Sequence, residues 1–104
     1  CPEASTSALH REALSSAAAE HTALTNLFTG RPARGIMNRL MRELGAMNLA
    51  VPEFPLAANT LLPLRAKAEA LGLKDFSPLW AGQYVQGCKP IAAAELTQKL
   101  AGKI

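Results

Sequence analysis

What this sequence has little of narrows its chemistry first. Its two cysteines, Cys1 and Cys88, lie far apart without the paired spacing of a zinc site, and they are too few for a disulfide framework. Reduced thiols and a cytoplasmic setting are the expectation. No apolar run approaches the roughly 20 residues that cross a bilayer, and no basic, apolar, small-residue leader opens the chain, so no membrane is expected among its partners. The seven glycines are scattered, with none in a phosphate-cradling loop. Serines, histidines and acids occur in no nucleophile-elbow or cysteine-protease context, and Cys88, between Gly87 and Lys89, has no assignable base. His10 and His21 have no carboxylate or cysteine placed to complete a metal site, and read as exposed or capping residues. No catalytic residue and no metal ligand is expected in this stretch.

Hydrophobic residues make up 49% of the 104 and charged residues 18%, a balance that suits one small globular domain and excludes disorder. A net charge of +3 favours acidic partners only if it is gathered on one face. It gathers only in FTGRPARGIMNRLMREL, Phe28 to Leu44, which holds four arginines and no acid before Glu43. Beyond Gly35, the residues Ile36, Met37, Leu40, Met41 and Leu44 fall at helical spacing, with Asn38, Arg39, Arg42 and Glu43 opposite and Gly45 as a C-cap. Arg31 and Arg34 belong to the loop ahead. The four arginines therefore divide between a loop and a helix face, which favours a solvated face with anchoring arginines over a phosphate-binding stripe. The alternative is a stand-alone basic helical module that binds an anionic partner.

Elsewhere the pattern is mostly helical. Ser5, Thr6 and Ser7 offer N-caps for a helix reaching Ala19, and Thr22 to Phe28 reads as a short strand or extended connector. In VPEFPLAANTLLPL, Pro52 and Pro55 enforce extended backbone, Asn59 or Thr60 caps the next helix, Pro63 fits its first turn and Gly72 ends it. In DFSPLWAGQYVQGCKP, Asp75 or Ser77 caps a turn that Pro78 starts and Gly82 interrupts. The only Trp, the only Tyr, Gln83 and Cys88 lie there within nine residues. From Pro90, IAAAELTQKLAGKI forms a terminal helix carrying Ile91, Glu95, Leu96 and Leu100. The predicted fold is mainly α, four or five helices with one short extended segment, and little continuous apolar face for a core of its own.

FTGRPARGIMN, followed in order by FPLAANTLLPLRAKA, DFSPLWAGQ and IAAAELTQKL, closely resembles the nitronate monooxygenase family, formerly the 2-nitropropane dioxygenases, over nearly the whole chain. The resemblance implies a (β/α)8 TIM-barrel flavoprotein that binds FMN and oxidises alkyl nitronates with O2, of which residues 1–104 would be the C-terminal segment. Barrel strands, phosphate-binding glycines and the catalytic histidine would lie upstream, so FMN would be bound mainly there and the segment would be inactive alone. An opening Cys1 in place of Met fits such a fragment. A lipid-bearing mature N-terminus is disfavoured by the helical pattern that follows without a polar tether. Neither histidine matches the family's catalytic context.

The implied partners are the rest of the parent barrel, a small nitronate and O2, with no nucleic acid. The LWAGQY stretch would fold over the C-terminal face of the barrel, where barrel active sites are built. There Trp80 would wall the flavin or substrate cavity, or simply pack between helices. Gly82 would allow close approach, and Gln83 would hydrogen-bond a flavin or nitro oxygen, or else a backbone group. Tyr84 is a lesser candidate, and YVQGCK departs locally from the family. Arg31 and Arg34 would fix their loop by hydrogen bonds to carbonyls or carboxylates.

Overall fold

Two short strands and the segments wrapped around them organise the chain in the computed structural model, which describes residues 1–102. β1 (Thr22–Thr25) and β2 (Ala33–Ile36) pair antiparallel, with Thr22 opposite Ile36 and Thr25 opposite Ala33. Leu79 to Ala81 continue the sheet along the other edge of β2. The Ile36 amide donates to the Leu79 carbonyl at 2.9 Å, the Ala81 amide donates to the Arg34 carbonyl at 3.2 Å, and Gly35 faces Trp80. Successive side chains of extended backbone point to opposite faces. Leu79 and Ala81 accordingly join Ala13, Ala19, Ile36 and Val85 in one apolar cluster, while Trp80 packs against Leu27, Phe28, Leu40 and Met41 in another. Two small cores share the sheet.

The helices follow from their caps. α1 (Ala8–Leu14) begins where the Ser7 hydroxyl accepts from the His10 amide at 3.2 Å. It stops short of the predicted Ala19, because the Ser15 and Ser16 hydroxyls turn back onto the carbonyls of Arg11 and Ala13; a 3₁₀ turn, Ala17–Glu20, follows. α2 (Arg39–Leu44) ends as predicted at Gly45, whose φ is +79°. α3 (Leu56–Ala70) and α4 (Ala93–Leu100) complete the chain.

The mostly helical character holds, with several corrections. The extended part is a hairpin: residues 33–36 form β2, where a loop was expected as far as Gly35 and a helix from Ile36. Asn38 is not on a polar face but buried: its Nδ2 donates to the Ser77 carbonyl at 2.8 Å and the Lys74 carbonyl at 3.3 Å, while its Oδ1 accepts from the Met41 amide. α3 starts directly after Pro55, not at Asn59 or Thr60, so Pro63 lies in its interior. Pro63 and Asn59 are both exposed, which leaves water to satisfy the carbonyl the proline deprives of a donor. Pro78 starts no helix, because the Ser77 hydroxyl donates to Glu69 at 2.7 Å and the residues beyond run along β2. The predicted terminal helix begins at Ala93, and its last residues, Lys103 and Ile104, lie outside the described ones.

The radius of gyration is 15.1 Å and the extents are 48 × 27 × 25 Å. A single compact domain of this length has a radius of about 13 Å. The difference has a source in the helices: α3 buries only Ala57 and Ala68, and α4 buries none of its residues. Among the described residues no helix is long and apolar enough to cross a membrane.

Candidate functional site

Trp80 is held from three directions. Its ring meets Phe28 edge to face, with centroids 5.8 Å apart and planes at 88°. Gly35 lies against it: a Cβ there would sit 3.2 Å from the Leu79 carbonyl oxygen and 3.4 Å from the indole Cε3, so glycine is what lets this segment close onto β2. The Trp80 carbonyl accepts a hydrogen bond from Nε2 of His10 at 2.9 Å. A carbonyl oxygen only accepts, so that nitrogen carries the proton. His10 is therefore half-buried and engaged, where the sequence read as an exposed or capping residue; His21 is exposed.

Past Ala81 the chain leaves the sheet. Gly82, Gln83 and Tyr84 are exposed and join neither core, and Tyr84 is 77% accessible. A Cβ built at Gly82 would meet open space within this chain. Val85 returns to the first core and closes a turn by accepting from the Cys88 amide at 2.9 Å. The Tyr84 ring lies over Gly87, where a Cβ would come within 2.8 Å of it. The structure thus brings Trp80 together with His10, Phe28 and Gly35, and leaves Gly82, Gln83 and Tyr84 projecting beyond that frame.

Beside Trp80 opens a polar cleft of about 550 Å³, lined in part by Ser7, His10, Arg65, Glu69 and Ser77. The Arg65 guanidinium and the Ser77 hydroxyl both donate to Glu69 at 2.7 Å. These bonds, that of Arg65 first, hold the Glu69 carboxyl below the ordinary glutamate value. Glu69 thereby ties the end of α3 to the turn that leads into Leu79.

The arginines serve separate places. Arg31 lies over the Phe54 ring, 4.5 Å from its centroid. Its neighbour Gly30 has φ +91° and packs so tightly on the Pro52–Phe54 backbone that a Cβ would fall 2.5 Å from the Phe54 amide nitrogen. Arg34 Nη1 donates to the Thr22 hydroxyl at 3.1 Å across the hairpin, a partner different from the expected carbonyl or carboxylate. Arg39 pairs with Glu43 at 3.2 Å and Asp75 at 3.9 Å and faces the Phe76 ring. Arg42 is exposed.

His10, Phe28 and Gly35 had no signal of their own in the sequence. Their common partner, Trp80, is far along the chain, and the pairing that joins them runs through a segment poor in strand-forming residues.

The profile of the nitronate monooxygenase family matches residues 1–102. The chain is 39% identical over 101 residues to the nitronate monooxygenase of Pseudomonas aeruginosa, covering 96% of this chain and 29% of that protein. It is 32% identical over 81 residues to a probable nitronate monooxygenase of Staphylococcus saprophyticus, covering 78% of this chain and 23% of the relative. Among solved structures, nitroalkane oxidase from Streptomyces ansochromogenes matches with a TM-score of 0.79 and 34% identity, over 94% of this chain and 28% of that one. The chain thus spans less than a third of the length of these relatives.

Proposed function

The chain belongs to the nitronate monooxygenase family, and we propose that it is the C-terminal segment of an FMN-dependent, TIM-barrel enzyme that oxidises alkyl nitronates with O2. In that reading residues 1–104 cover the active-site face and are inactive alone. The observation that carries it is the contrast at one point of the chain: Trp80 is clamped, and Gly82, Gln83 and Tyr84 directly beyond it are exposed. A polar group on a rigid support is what an orienting residue needs, and barrel enzymes gather such groups at the C-terminal face of the strands.

The residues present suit a flavin and a small anionic substrate. Gly82 presents no side chain and has open space before it, Trp80 offers an aromatic wall, and the Gln83 amide both donates and accepts. Flavin, when bound, supplies the electron-accepting ring that the oxidation needs. Gln83 orients it or the nitronate by a hydrogen bond, while Trp80 and Tyr84 exclude water from one side. The cofactor's phosphate would be held by the part of the enzyme outside these residues. That part would also cover the exposed leucines of α3 and α4, among them Leu62, Leu64 and Leu100. The basic-module alternative has less support, because its four arginines are engaged at separate turns or spread along a helix.

The test is Gln83→Ala in the full-length enzyme. Loss of one orienting hydrogen bond, about 1–2 kcal/mol, lowers kcat/KM roughly tenfold or more while flavin content and melting stay unchanged. Unchanged kinetics with normal flavin would remove this stretch from the site. In the same series the 104-residue chain alone is expected to retain no FMN at micromolar concentration and to turn over no nitronate; stoichiometric yellow flavin co-purifying with it would contradict the assignment of the cofactor to the rest of the enzyme.

A further inference from the structure

Tyr84 is exposed, yet its ring has a defined resting place. A Cβ built at Gly87 would lie 2.8 Å from the ring's Cε1, 3.2 Å from Cδ1 and 3.8 Å from Cζ, and these Tyr84 atoms are the nearest it meets. A side chain cannot stand at 87 while the ring stays where it is. The backbone does not ask for glycine there, because the positive-φ glycines among the described residues are Gly30, Gly45, Gly72 and Gly102. What glycine provides at 87 is a bare surface beneath the ring.

Both sides of that contact are anchored past Gly82, within one short turn. Val85, next to Tyr84, is 7% exposed and packs in the first core with Ala13, Ala19, Ile36 and Leu79. The Cys88 amide donates to the Val85 carbonyl at 2.9 Å, which closes residues 85–88 and brings Gly87 back against its neighbour. The ring thus rests on protein along one edge, while 77% of the residue is open. A tyrosine has only two side-chain torsions to fix, so a single contact of this kind constrains it strongly.

We propose that Gly87 is a specificity-determining residue, the seat that sets where the Tyr84 ring stands at the rim of the substrate cavity and thereby the length of alkyl chain the site accepts. The inference rests on the substrate-side reading of Tyr84 given above, and adds the residue that governs the ring's position. Any side chain at 87 makes the ring rise. Because the ring is the outer end of an exposed side chain, it moves to another rotamer at little cost to the fold. Substitution at 87 therefore shifts the wall without disturbing its support.

The experiment uses the full-length enzyme with Gly87→Ala, made alone and together with Tyr84→Ala, which leaves no ring above residue 87. Crystal structures give the ring position, and steady-state kinetics compare ethyl nitronate with hexyl nitronate. Gly87→Ala is expected to displace the ring and to change the ratio of kcat/KM for the two nitronates roughly threefold or more, through KM more than kcat, with melting unchanged. In the Tyr84→Ala background the same substitution leaves the ratio as it was. An unmoved ring in Gly87→Ala overturns the seat. A displaced ring with an unchanged ratio, where Tyr84→Ala does change it, overturns the specificity role of Gly87 alone. An effect of Gly87→Ala that persists without the ring overturns it too. An unchanged ratio in Tyr84→Ala brings down the substrate-side reading of Tyr84 and the proposal with it, and a lowered melting temperature there marks the ring as packing.

Discussion

β2 is four residues long and α4 eight, yet the shorter element is the better held. In β2, Ile36 is 1% exposed, Gly35 is pressed between β1 and the Trp80 segment, and backbone hydrogen bonds leave on both sides. α4 is amphipathic but buries nothing, and Leu100 is 80% exposed. A polar tie joins its start to the rest of the chain, the Ala93 amide donating to the Glu3 carboxylate at 2.8 Å, whereas the Lys99–Glu95 pair at 3.0 Å is internal to the helix; both are in contact with water. The Ala93 amide, more than anything else, keeps the Glu3 carboxyl below its ordinary value. Surface ties of this kind contribute little against solvent and salt. The difference teaches where this chain's own stability resides, in the sheet and its two cores, and which surface it leaves uncovered.

The sharpest way to break the comparison is Gly30→Ala. It forces a left-handed backbone onto a residue with a Cβ and drives that atom into the Pro52–Phe54 backbone. The expected loss is about 3 kcal/mol or more, read as a lower denaturation midpoint, with the sheet region failing first. Next comes the pair Leu96→Ser and Leu100→Ser in α4. In the full-length enzyme, where a partner surface would cover these side chains, the pair costs about 2 kcal/mol; in the 104-residue chain it changes the midpoint by less than about 0.5 kcal/mol. Equal small effects in both would show that α4 packs on nothing.

The smallest effect concerns Glu69, which joins α3 to the sheet region. Its folded-state pKa is depressed by Arg65 and then Ser77, so its contribution is present above the unfolded value and is lost as pH falls through the folded one. The side chain is 36% exposed, so solvent reduces that contribution. Thermal melts taken from neutral pH to below the glutamate reference of about 4.3 should show a decline that Glu69→Gln flattens. An identical decline in the variant would mean that other carboxylates carry it.

Much of this was legible in the residues. Ser7 capping α1, Gly45 ending α2, Gly72 ending α3 and the strand at Thr22 all follow from local chemistry that nothing later overrides. The second strand was not legible, because Ala33, Arg34 and Gly35 are poor strand formers and are extended only by pairing on both sides. Asn38 looked like a surface residue because its three partners lie in α2 and the distant 74–77 turn. At the candidate site, the cluster of unusual residues around Trp80 was visible. The clamp on Trp80 was not, since it depends on contacts with α1, β2 and Phe28 that no local pattern encodes.

The alternation of Leu79, Trp80 and Ala81 between two cores sets different tolerances for substitution and for changes of chain length. A conservative replacement at any of the three alters one contact. A single-codon insertion or deletion in the turn just before Leu79, if the pairing with β2 is kept, shifts the register by one residue and exchanges the faces. The indole would then be turned toward the space that Leu79 and Ala81 fill beside Ile36, and a small side chain toward Phe28. Natural variants of this turn should therefore differ in residue type far more readily than in length.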